Sequence, residues 1–260
     1  FDRSPTELAD AAAVPGTAGA ARSSGRVPLA GNDGVFTTHS QADYQAMVQA
    51  GVDYVRAGDI FQVNLAQQFS VPLACDPHAV FRQARRLNPA PFAGFYGLGD
   101  FSIASMSPER FLKVTRDRVW MHPIKGTRRI LSSPEADLWA GADLGASEKD
   151  RAENVMIVDL VRNDLSRVCR PESVAVQALC RLERFRYVQH LVSVVTGRLA
   201  AGAGPLDAVL AGFPGGRVTG APQHRAREIA GELGREARGP SPACLEYRGC
   251  GGGAGTAPRL

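Results

Sequence analysis

The chain has 260 residues, which is enough for one large domain or two small ones with a sizeable buried core. Hydrophobic residues make up 44% and charged residues 22%, as is ordinary for a soluble globular protein, and no apolar run is long enough to span a bilayer. The net charge of +4 is not concentrated in a Lys/Arg block. Nucleic acid is therefore disfavoured as a partner, whereas an anionic small substrate is compatible with the charge.

The cysteines and the N-terminus bear on cellular location. No two cysteines form a C-x-x-C pair, and their odd number argues against a disulfide framework or a zinc site. The five are Cys75, Cys169, Cys180, Cys244 and Cys250. A reducing cytoplasm is the location that this usage predicts. Because the chain starts at Phe1 and shows no secretory signal, we expect it to begin within a longer protein.

The first predicted elements follow a linker. Residues 1–34 are rich in Ala, Gly, Pro and Ser, which favours a disordered linker or the remnant of an N-terminal region. The stretch "SQADYQAMVQAGVDYVRAGD" predicts a helix with Ser40 as N-cap and Gly58 at its end. Its apolar stripe consists of Tyr44, Met47, Val48, Val52 and Val55. "IFQVNLAQQFSV" alternates like a strand, and "DPHAVFRQARRLNP" predicts a short helix that stops before Pro89.

The remaining elements place strands first and helices later. Residues 92–124 predict strands joined by tight turns at 99–100 and 116–117. "SEKDRAENVMIVDLVRNDLSRV" predicts a long helix, "SVAVQALCRLERFRYV" is extended, and "HLVSVVTGRL" is compatible with a helix or a strand. Two short helices, "PLDAVLAGF" and "APQHRAREIAGELG", flank the loop "PGGRVTG". This order predicts an α+β fold with mainly antiparallel pairing.

Two carboxylates on the long helix are candidate metal ligands. Asp150 and Glu153 are three residues apart and therefore share a helical face. Such a pair suits Mg²⁺, which uses one or two carboxylates plus waters. A solvated face with Lys149 and Arg151 as partners explains the same spacing. Asp159 lies inside the apolar run from 155 to 161, so we expect it to be buried and paired with an arginine of the same helix.

Four further features are candidate site residues. The glycines of "FPGGRVTGAP" expose backbone N–H groups before a predicted helix, which is typical of an anion site and equally of a plain turn. Lys125 in "HPIKGTRRI" is either a surface charge or a nucleophile; in the second case burial, nearby Arg128 and Arg129, or a bound cation would favour its neutral form. Taken alone, Glu109 is interpreted as a surface charge and His190 as a core residue.

Taken together, the motifs resemble one family. "GDIFQVNLAQQF", "SMSPERF", "HPIKGT", "DRAENVMIVDLVRND", "YVQHLVS" and "FPGGRVTGAP" are similar, in content and order, to those of chorismate-utilising enzymes such as component I of anthranilate synthase or aminodeoxychorismate synthase. The resemblance covers residues 36–240 and implies a sandwich of antiparallel sheets flanked by helices. The catalytic domain is thereby expected at residues 35–240.

The resemblance also implies roles for individual residues. Lys125 is implied to be a covalent nucleophile, Glu109 the general acid, and His190 a pocket residue. Glu153 is implied to bind Mg²⁺, with Asp150 as an outer partner. Residues implied to contact substrate are Gln62, Gly126, Thr127, Gly215, Gly216, Thr219 and Gly220.

Two positions favour one subfamily. Isochorismate-type enzymes carry a lysine that acts as a base where this chain has Gln62. The resemblance therefore implies that a reaction in which a water molecule is activated is disfavoured here. Anthranilate synthases resemble "PIAGT" where this chain has "PIKGT", the form of aminodeoxychorismate synthases. The resemblance therefore implies conversion of chorismate to 4-amino-4-deoxychorismate, a p-aminobenzoate and folate precursor, with ammonia from a glutamine amidotransferase subunit. Anthranilate synthase component I and a non-catalytic remnant are the alternatives.

The chain departs from the family pattern near its end. Residues 241–260 are Gly-, Cys- and Pro-rich and lack the expected "G-x-x-G-Y" and "I-A-I-R-T" stretches and the second set of glutamates. We hypothesise a frameshift near Pro240, which another reading frame of the gene would test. Relatives have Ser or Thr at Arg217 and Lys at Gln223, and the N-terminal half of a typical member is missing. From these gaps we expect unpaired sheet edges and impaired activity.

Overall fold

A computed structural model describes residues 26–215 and 219–234, together with the backbone of strands at 244–248 and 253–258. The helices in this part of the chain are α1 Gln41–Arg56, α2 Pro77–Leu87, α3 Pro134–Ala146, α4 Glu148–Ser166, α5 Pro205–Gly212 and α6 Gln223–Leu233. The strands are β1 Val27–Pro28, β2 Phe36–Thr37, β3 Gln62–Val63, β4 Phe69–Ser70, β5 Phe92–Gly97, β6 Ser102–Ser107, β7 Leu112–Thr115, β8 Arg118–Met121, β9 Ile124–Arg129, β10 Ala175–Arg184, β11 Val188–Arg198, β12 Gly220–Ala221, β13 Cys244–Arg248 and β14 Gly253–Pro258.

A seven-stranded sheet is the centre of the molecule. Its strands run in the order β10-β11-β8-β7-β14-β13, and β9 also pairs with β11. The long strand β11 therefore pairs with two strands along one edge, with β9 at its beginning and with β8 at its end. All pairs among the described strands are antiparallel. The predicted α+β class with antiparallel pairing is confirmed.

Helix α4 covers one face of this sheet. Its N-cap Ser147 accepts from the backbone N–H of Asp150, as a Ser at a helix start commonly does. The apolar side chains of the helix repeat at helical spacing and meet alternate residues of the strands. The buried cluster comprises Phe111, Leu112, Val114, Val119, Met121, Ile157, Val158, Val161, Leu165, Cys169, Val195, Leu199 and Ala208.

Helix α1 forms as predicted but packs on a narrower face. Ser40 caps it in a capping box with Asp43, and Gly58 follows its end with φ of +83°. Of the predicted apolar stripe only Met47 is buried; Val48, Val52 and Val55 are 37–41% exposed. The helix instead packs at Gly51 against the segment that follows β3, where an added Cβ would lie 3.1 Å from Leu65 Cδ1.

The predictions for the other helices, strands and turns were confirmed in part. The helix before Pro89, the turns at 99–100 and 116–117 and both late helices are confirmed. "IFQVNLAQQFSV" is not one strand, because its two ends, β3 and β4, pair with different partners, β12 and β2. "HLVSVVTGRL" lies within β11. Helix α3, with N-cap Ser133, was not predicted.

Both ends of the described chain join the sheets. Strand β1 lies inside the segment assigned to a linker and pairs with β2, so the folded part starts before residue 35. In the segment assigned to an aberrant tail, β13 pairs with β14, and β14 pairs with β7. Strand β7 therefore has a partner on both sides, β14 and β8. Within the described residues, no helix combines the length and the apolar character that crossing a membrane requires.

Candidate active site

The predicted catalytic residues lie on two strands of the central sheet, β9 and β11, and in the connection between β6 and β7. Lys125 of β9 pairs with Leu191 of β11, and Thr127 pairs with His190. Glu109 follows β6, and its Oε1 accepts the backbone N–H of Ile124 at 2.9 Å, one residue before Lys125. The carboxylate of Glu109 also acts electrostatically on His190. Strand pairing and this hydrogen bond thus bring the backbone of Lys125 close to the carboxylate of Glu109 and to the strand that carries His190.

A bulge at Gly126 shapes this assembly. The register shifts between His190 and Leu191, which leaves Gly126 as the extra residue between Lys125 and Thr127. Its φ of +79° strongly favours glycine. A Cβ at this position would lie 2.8 Å from Leu144 Cδ1 of α3 and 2.9 Å from Asp150 Cβ of α4. Only glycine therefore lets both helices approach β9 at the bulge.

His190 is a buried, neutral member of the site. Its side chain shares a 2.9 Å hydrogen bond between Nδ1 and the hydroxyl of Thr127, and Nδ1 lies 3.4 Å from the carbonyl oxygen of Gly126. The ring of Phe185 packs edge-on at 5.3 Å. Desolvation lowers the pKa of His190, against a smaller opposing effect of the Gly126 carbonyl and Glu109. At neutral pH the imidazole is therefore uncharged.

Glu109 is buried rather than a surface charge, contrary to the interpretation of its position alone. It is 8% exposed, and its neighbours hold both backbone and side chain. The hydroxyl of Ser107 donates to the carbonyl oxygen of Glu109 at 3.1 Å and accepts from its N–H at 3.2 Å. The Glu109 carboxylate is thus held in one place beside the β9 backbone.

Lys125 is half-buried, and within the described residues its amine forms no ion pair or side-chain hydrogen bond. The Arg128 guanidinium binds Asp143 at 2.8 Å and Asp150 at 3.4 Å, so two carboxylates compensate its charge. Arg129 is exposed.

A buried polar network fixes helix α4 against the site. Asn154 is fully buried, donates from Nδ2 to the carbonyl oxygen of Leu191 at 3.0 Å, and accepts from the hydroxyl of Ser193. The same hydroxyl accepts the N–H of Cys180 at 2.9 Å. Leu191 is the partner of Lys125, so the network ties the helix to the strand beside the bulge. Sequence reasoning missed Asn154, although a polar residue in line with the apolar positions 157, 158 and 161 was a usable signal.

The two candidate metal ligands lie on α4 in different environments. The side chain of Asp150 is 18% exposed and is bound by Arg128. Glu153 is half-buried and has no ion pair within the described residues. No group of three His, Cys, Asp or Glu in the described part of the chain could hold a metal ion. The pair still fits Mg²⁺, which takes one or two protein carboxylates and completes its shell with waters and substrate oxygens.

The expectation for Asp159 is wrong in part. Its side chain is 80% exposed instead of buried, although it does pair with Arg162 at 3.6 Å. The helix turns Asp159 away from the sheet because Val158 and Val161 occupy the inward positions. The buried acid of this helix is Asp164, which binds Arg167.

A second cluster of predicted residues forms around β3 and β12. Gly220 has φ of +129°, and a Cβ there would lie 2.2 Å from the carbonyl oxygen of Gln62. The hydroxyl of Thr219 donates to the carbonyl oxygen of Gly215 at 3.3 Å. Gln223 donates to the carbonyl oxygen of Pro214 at 2.8 Å and so closes the loop. The contacts of the described residues join these residues to one another and not to Lys125.

Two details of this loop bear on ligand binding. The Oε1 atom of Gln62 is buried and has no hydrogen-bond partner within the described residues, while its Nε2 donates to Asn64. Helix α6 begins at Gln223, after Pro222, as predicted, and its first turn contains no acidic residue. Gly216 and Arg217 lie outside the described residues.

Comparisons with known proteins agree on one family. A family model described as "chorismate binding enzyme" matches residues 5–253. Aminodeoxychorismate synthase component 1 of Klebsiella aerogenes is 48% identical over 180 residues, which are 69% of this chain and 40% of that protein. Anthranilate synthase component 1 of Bacillus pumilus is 37% identical over 215 residues, 83% of this chain and 42% of that protein.

Solved structures agree with the described fold. The crystal structure of anthranilate synthase component I from Streptococcus pneumoniae TIGR4 matches with a TM-score of 0.79 and 36% identity, over 86% of this chain and 49% of that chain. The chain thus spans about two fifths of the curated relatives quoted above and half of this structure.

Proposed function

Because the chain belongs to the family of chorismate binding enzymes, we propose that it takes part in the amination of chorismate to 4-amino-4-deoxychorismate. The observation that carries the proposal is that the Glu109 carboxylate binds the β9 backbone one residue before Lys125 and acts electrostatically on His190, which lies on the paired strand at the Gly126 bulge. An amine beside a buried carboxyl suits a displacement in which a nucleophile adds while a hydroxyl departs.

The first step forms a covalent intermediate. The neutral amine of Lys125 attacks C2 of chorismate, the ring double bond shifts, and the bond from C4 to its hydroxyl breaks. Glu109 donates the proton with which that hydroxyl leaves as water. The bulge at Gly126 supports this step, since it holds Lys125 next to the backbone that binds the Glu109 carboxylate.

The second step releases the product. Ammonia attacks C4, the double bond shifts back, and the bond between C2 and Lys125 breaks, so that the lysine is regenerated. The net change is chorismate plus ammonia to aminodeoxychorismate plus water. We propose that a glutamine amidotransferase subunit supplies the ammonia, as the "component 1" names of the relatives suggest for those proteins.

Substrate binding needs groups that accept a dianion. We propose that Glu153 holds Mg²⁺, with Asp150 behind it, and that bound Mg²⁺ offsets the charge of a substrate carboxylate. Thr127 and His190 form a neutral hydrogen-bonded wall. The backbone of Gly215, Thr219 and Gly220 is proposed to hold the second carboxylate near the start of α6.

Anthranilate formation is the second candidate. It is favoured by the extent of similarity, because the Bacillus pumilus anthranilate synthase matches 83% of this chain and the Klebsiella protein 69%. Lys125 is the residue that speaks for the first candidate. The two products differ chemically, since aminodeoxychorismate keeps the enolpyruvyl group and anthranilate has lost it as pyruvate.

The test is turnover of chorismate with Mg²⁺ and ammonium, with the products identified by mass spectrometry. Lys125→Ala is expected to abolish aminodeoxychorismate, whereas Arg129→Ala, which removes an exposed cation of the same strand, is expected to retain it. Anthranilate from the parent chain would favour the second candidate. No product from the parent chain would overturn the proposed activity and leave the family membership intact.

A further inference from the structure

A groove on the face of the central sheet opposite α4 is separate from the candidate active site. It encloses about 320 Å³, within the range of small-molecule pockets. Its lining consists of Arg118, Trp120, Ser173, Gln177, Thr196, Gly197 and Arg198. Thr196 and His190 are six residues apart on β11, which is about 20 Å along an extended strand. A molecule in the groove would therefore not touch the active site.

The groove follows from the alternation of side chains. Val114, Val119 and Val195 face the buried cluster under α4 and are at most 1% exposed. Their neighbours along the strands consequently face the other side of the sheet. There they form a cross-strand row in which Lys113 pairs with Trp120 and Trp120 with Thr196.

A second row beside it places like charges together. Arg118 of β8 lies directly opposite Arg198 of β11. Like charges in such a pair destabilise a sheet unless an anion compensates them. Asp117 is the acid at this end, and it binds Arg198 at 3.0 Å and Arg170 at 3.4 Å. Within the described residues Arg118 has no carboxylate within ion-pair distance.

The charge balance around the groove is therefore positive. Arg170 and Arg198 share the carboxylate of Asp117, whereas Arg118 and Lys113 form no ion pair within the described residues. The hydrogen bond from Arg198 holds the pKa of Asp117 below its ordinary value, so this acid stays ionised and committed to its two partners. An anion that enters the groove would meet the guanidinium of Arg118 without displacing an existing ion pair.

The other walls select the shape of that anion. Trp120 is half-buried and offers an indole, with the Lys113 amine 5.6 Å from its ring centre. Gln177 donates to the hydroxyl of Thr196 at 3.3 Å, and Ser173 is bound to the backbone of Arg170 and Arg198. These walls are thus held in place by the sheet and by one another.

We propose that this groove binds small organic anions in which a carboxylate is joined to a flat apolar ring. Arg118 pairs with the carboxylate, because a guanidinium binds such a group through two parallel hydrogen bonds. The indole of Trp120 provides the apolar contact for the ring. The site is independent of the proposed chemistry at Lys125.

The two tryptophans of the chain allow a direct test, since they are Trp120 and Trp139. Trp139 lies on α3 and is 70% exposed, so Trp139→Phe leaves Trp120 as the single fluorescent reporter. The probe is benzoate, titrated at constant ionic strength. We expect a saturable change in Trp120 emission and a weaker response to inorganic phosphate, which lacks a ring.

Matched variants identify the charge partner. In the Trp139→Phe background, Arg118→Gln is expected to weaken benzoate binding about tenfold, the effect of losing one charge-assisted contact. Arg118→Lys, which keeps the charge, is expected to lose less. Arg85→Gln changes the net charge equally at an exposed position of α2 and is expected to leave binding unchanged. No saturable response in the parent, or equal binding by the Gln variants at 118 and 85, would overturn the proposal.

Discussion

Substitution of Gly126 by alanine tests the bulge on which the candidate site depends. Gly126 combines a φ of +79° with close packing against two helices. The added Cβ would lie 2.8 Å from Leu144 Cδ1 and 2.9 Å from Asp150 Cβ, distances at which neighbouring atoms have to move. Either β9 shifts, which displaces Lys125, or α4 shifts, which displaces Asp150 and Glu153.

The expected loss of stability has two parts. A residue with a side chain in left-handed backbone geometry costs about 1–2 kcal/mol. Overpacking of a tight contact adds about 1–3 kcal/mol. Gly58→Ala is the matched control, because Gly58 has φ of +83° and no atom within 4 Å of an added Cβ. The control should lose only the first part.

Urea unfolding measures this difference. With an m-value of about 2 kcal/mol/M, Gly126→Ala should unfold about 0.5–1.5 M earlier than Gly58→Ala. The m-values should match, which would show that the compactness of the end states is unchanged. Equal midpoints for the two variants would refute the packing argument at the bulge.

Three further outcomes follow from the same geometry. Asn154→Ala should lower the free energy of unfolding by about 1–3 kcal/mol because it leaves buried partners unpaired. Ser193→Ala should lower the free energy of unfolding less in the Asn154→Ala background than in the parent chain, and strictly additive losses would contradict the network. Because the pKa of His190 is lowered in the folded state, the unfolded chain binds more protons than the folded chain as pH falls through about 6.5, so the free energy of unfolding decreases below that pH. His190→Gln should flatten this dependence of the free energy of unfolding on pH, measured by urea titrations at several pH values. An unchanged pH dependence would exclude His190 as its source. Glu153→Gln should remove the rise in melting temperature that Mg²⁺ gives the parent chain, whereas Lys149→Gln, an exposed neighbour, should keep it; equal rises in all three chains would place the ion elsewhere.

Local signals predicted much of the fold. Ser40 and Gly58 bound a helix because capping is decided by a few neighbouring residues. The apolar stripe of α1 was a poorer guide to burial, since Gly51 sets which face approaches β3. Residues 62–70 alternate like one strand yet pair with two different partners, and no local pattern contains that information.

The candidate site was only partly predictable from the residues themselves. Glu109 and His190 are ordinary in sequence and become candidates because pairing of β9 with β11 and the hydrogen bond at Ile124 bring them to Lys125. The resemblance named these residues, but not Arg128 as the partner of Asp150. Asn154 was also missed, because its partners lie 37 and 39 residues away.

The proposed covalent role of Lys125 is tested most directly by the intact mass of the protein. The chain is incubated with chorismate and Mg²⁺ in the absence of ammonia, so that the second step cannot proceed. We predict a mass increase equal to chorismate less one water, located on Lys125 by peptide mapping, absent in Lys125→Ala and reversed by ammonium. An unmodified chain that nevertheless forms aminodeoxychorismate when ammonium is added would contradict the account.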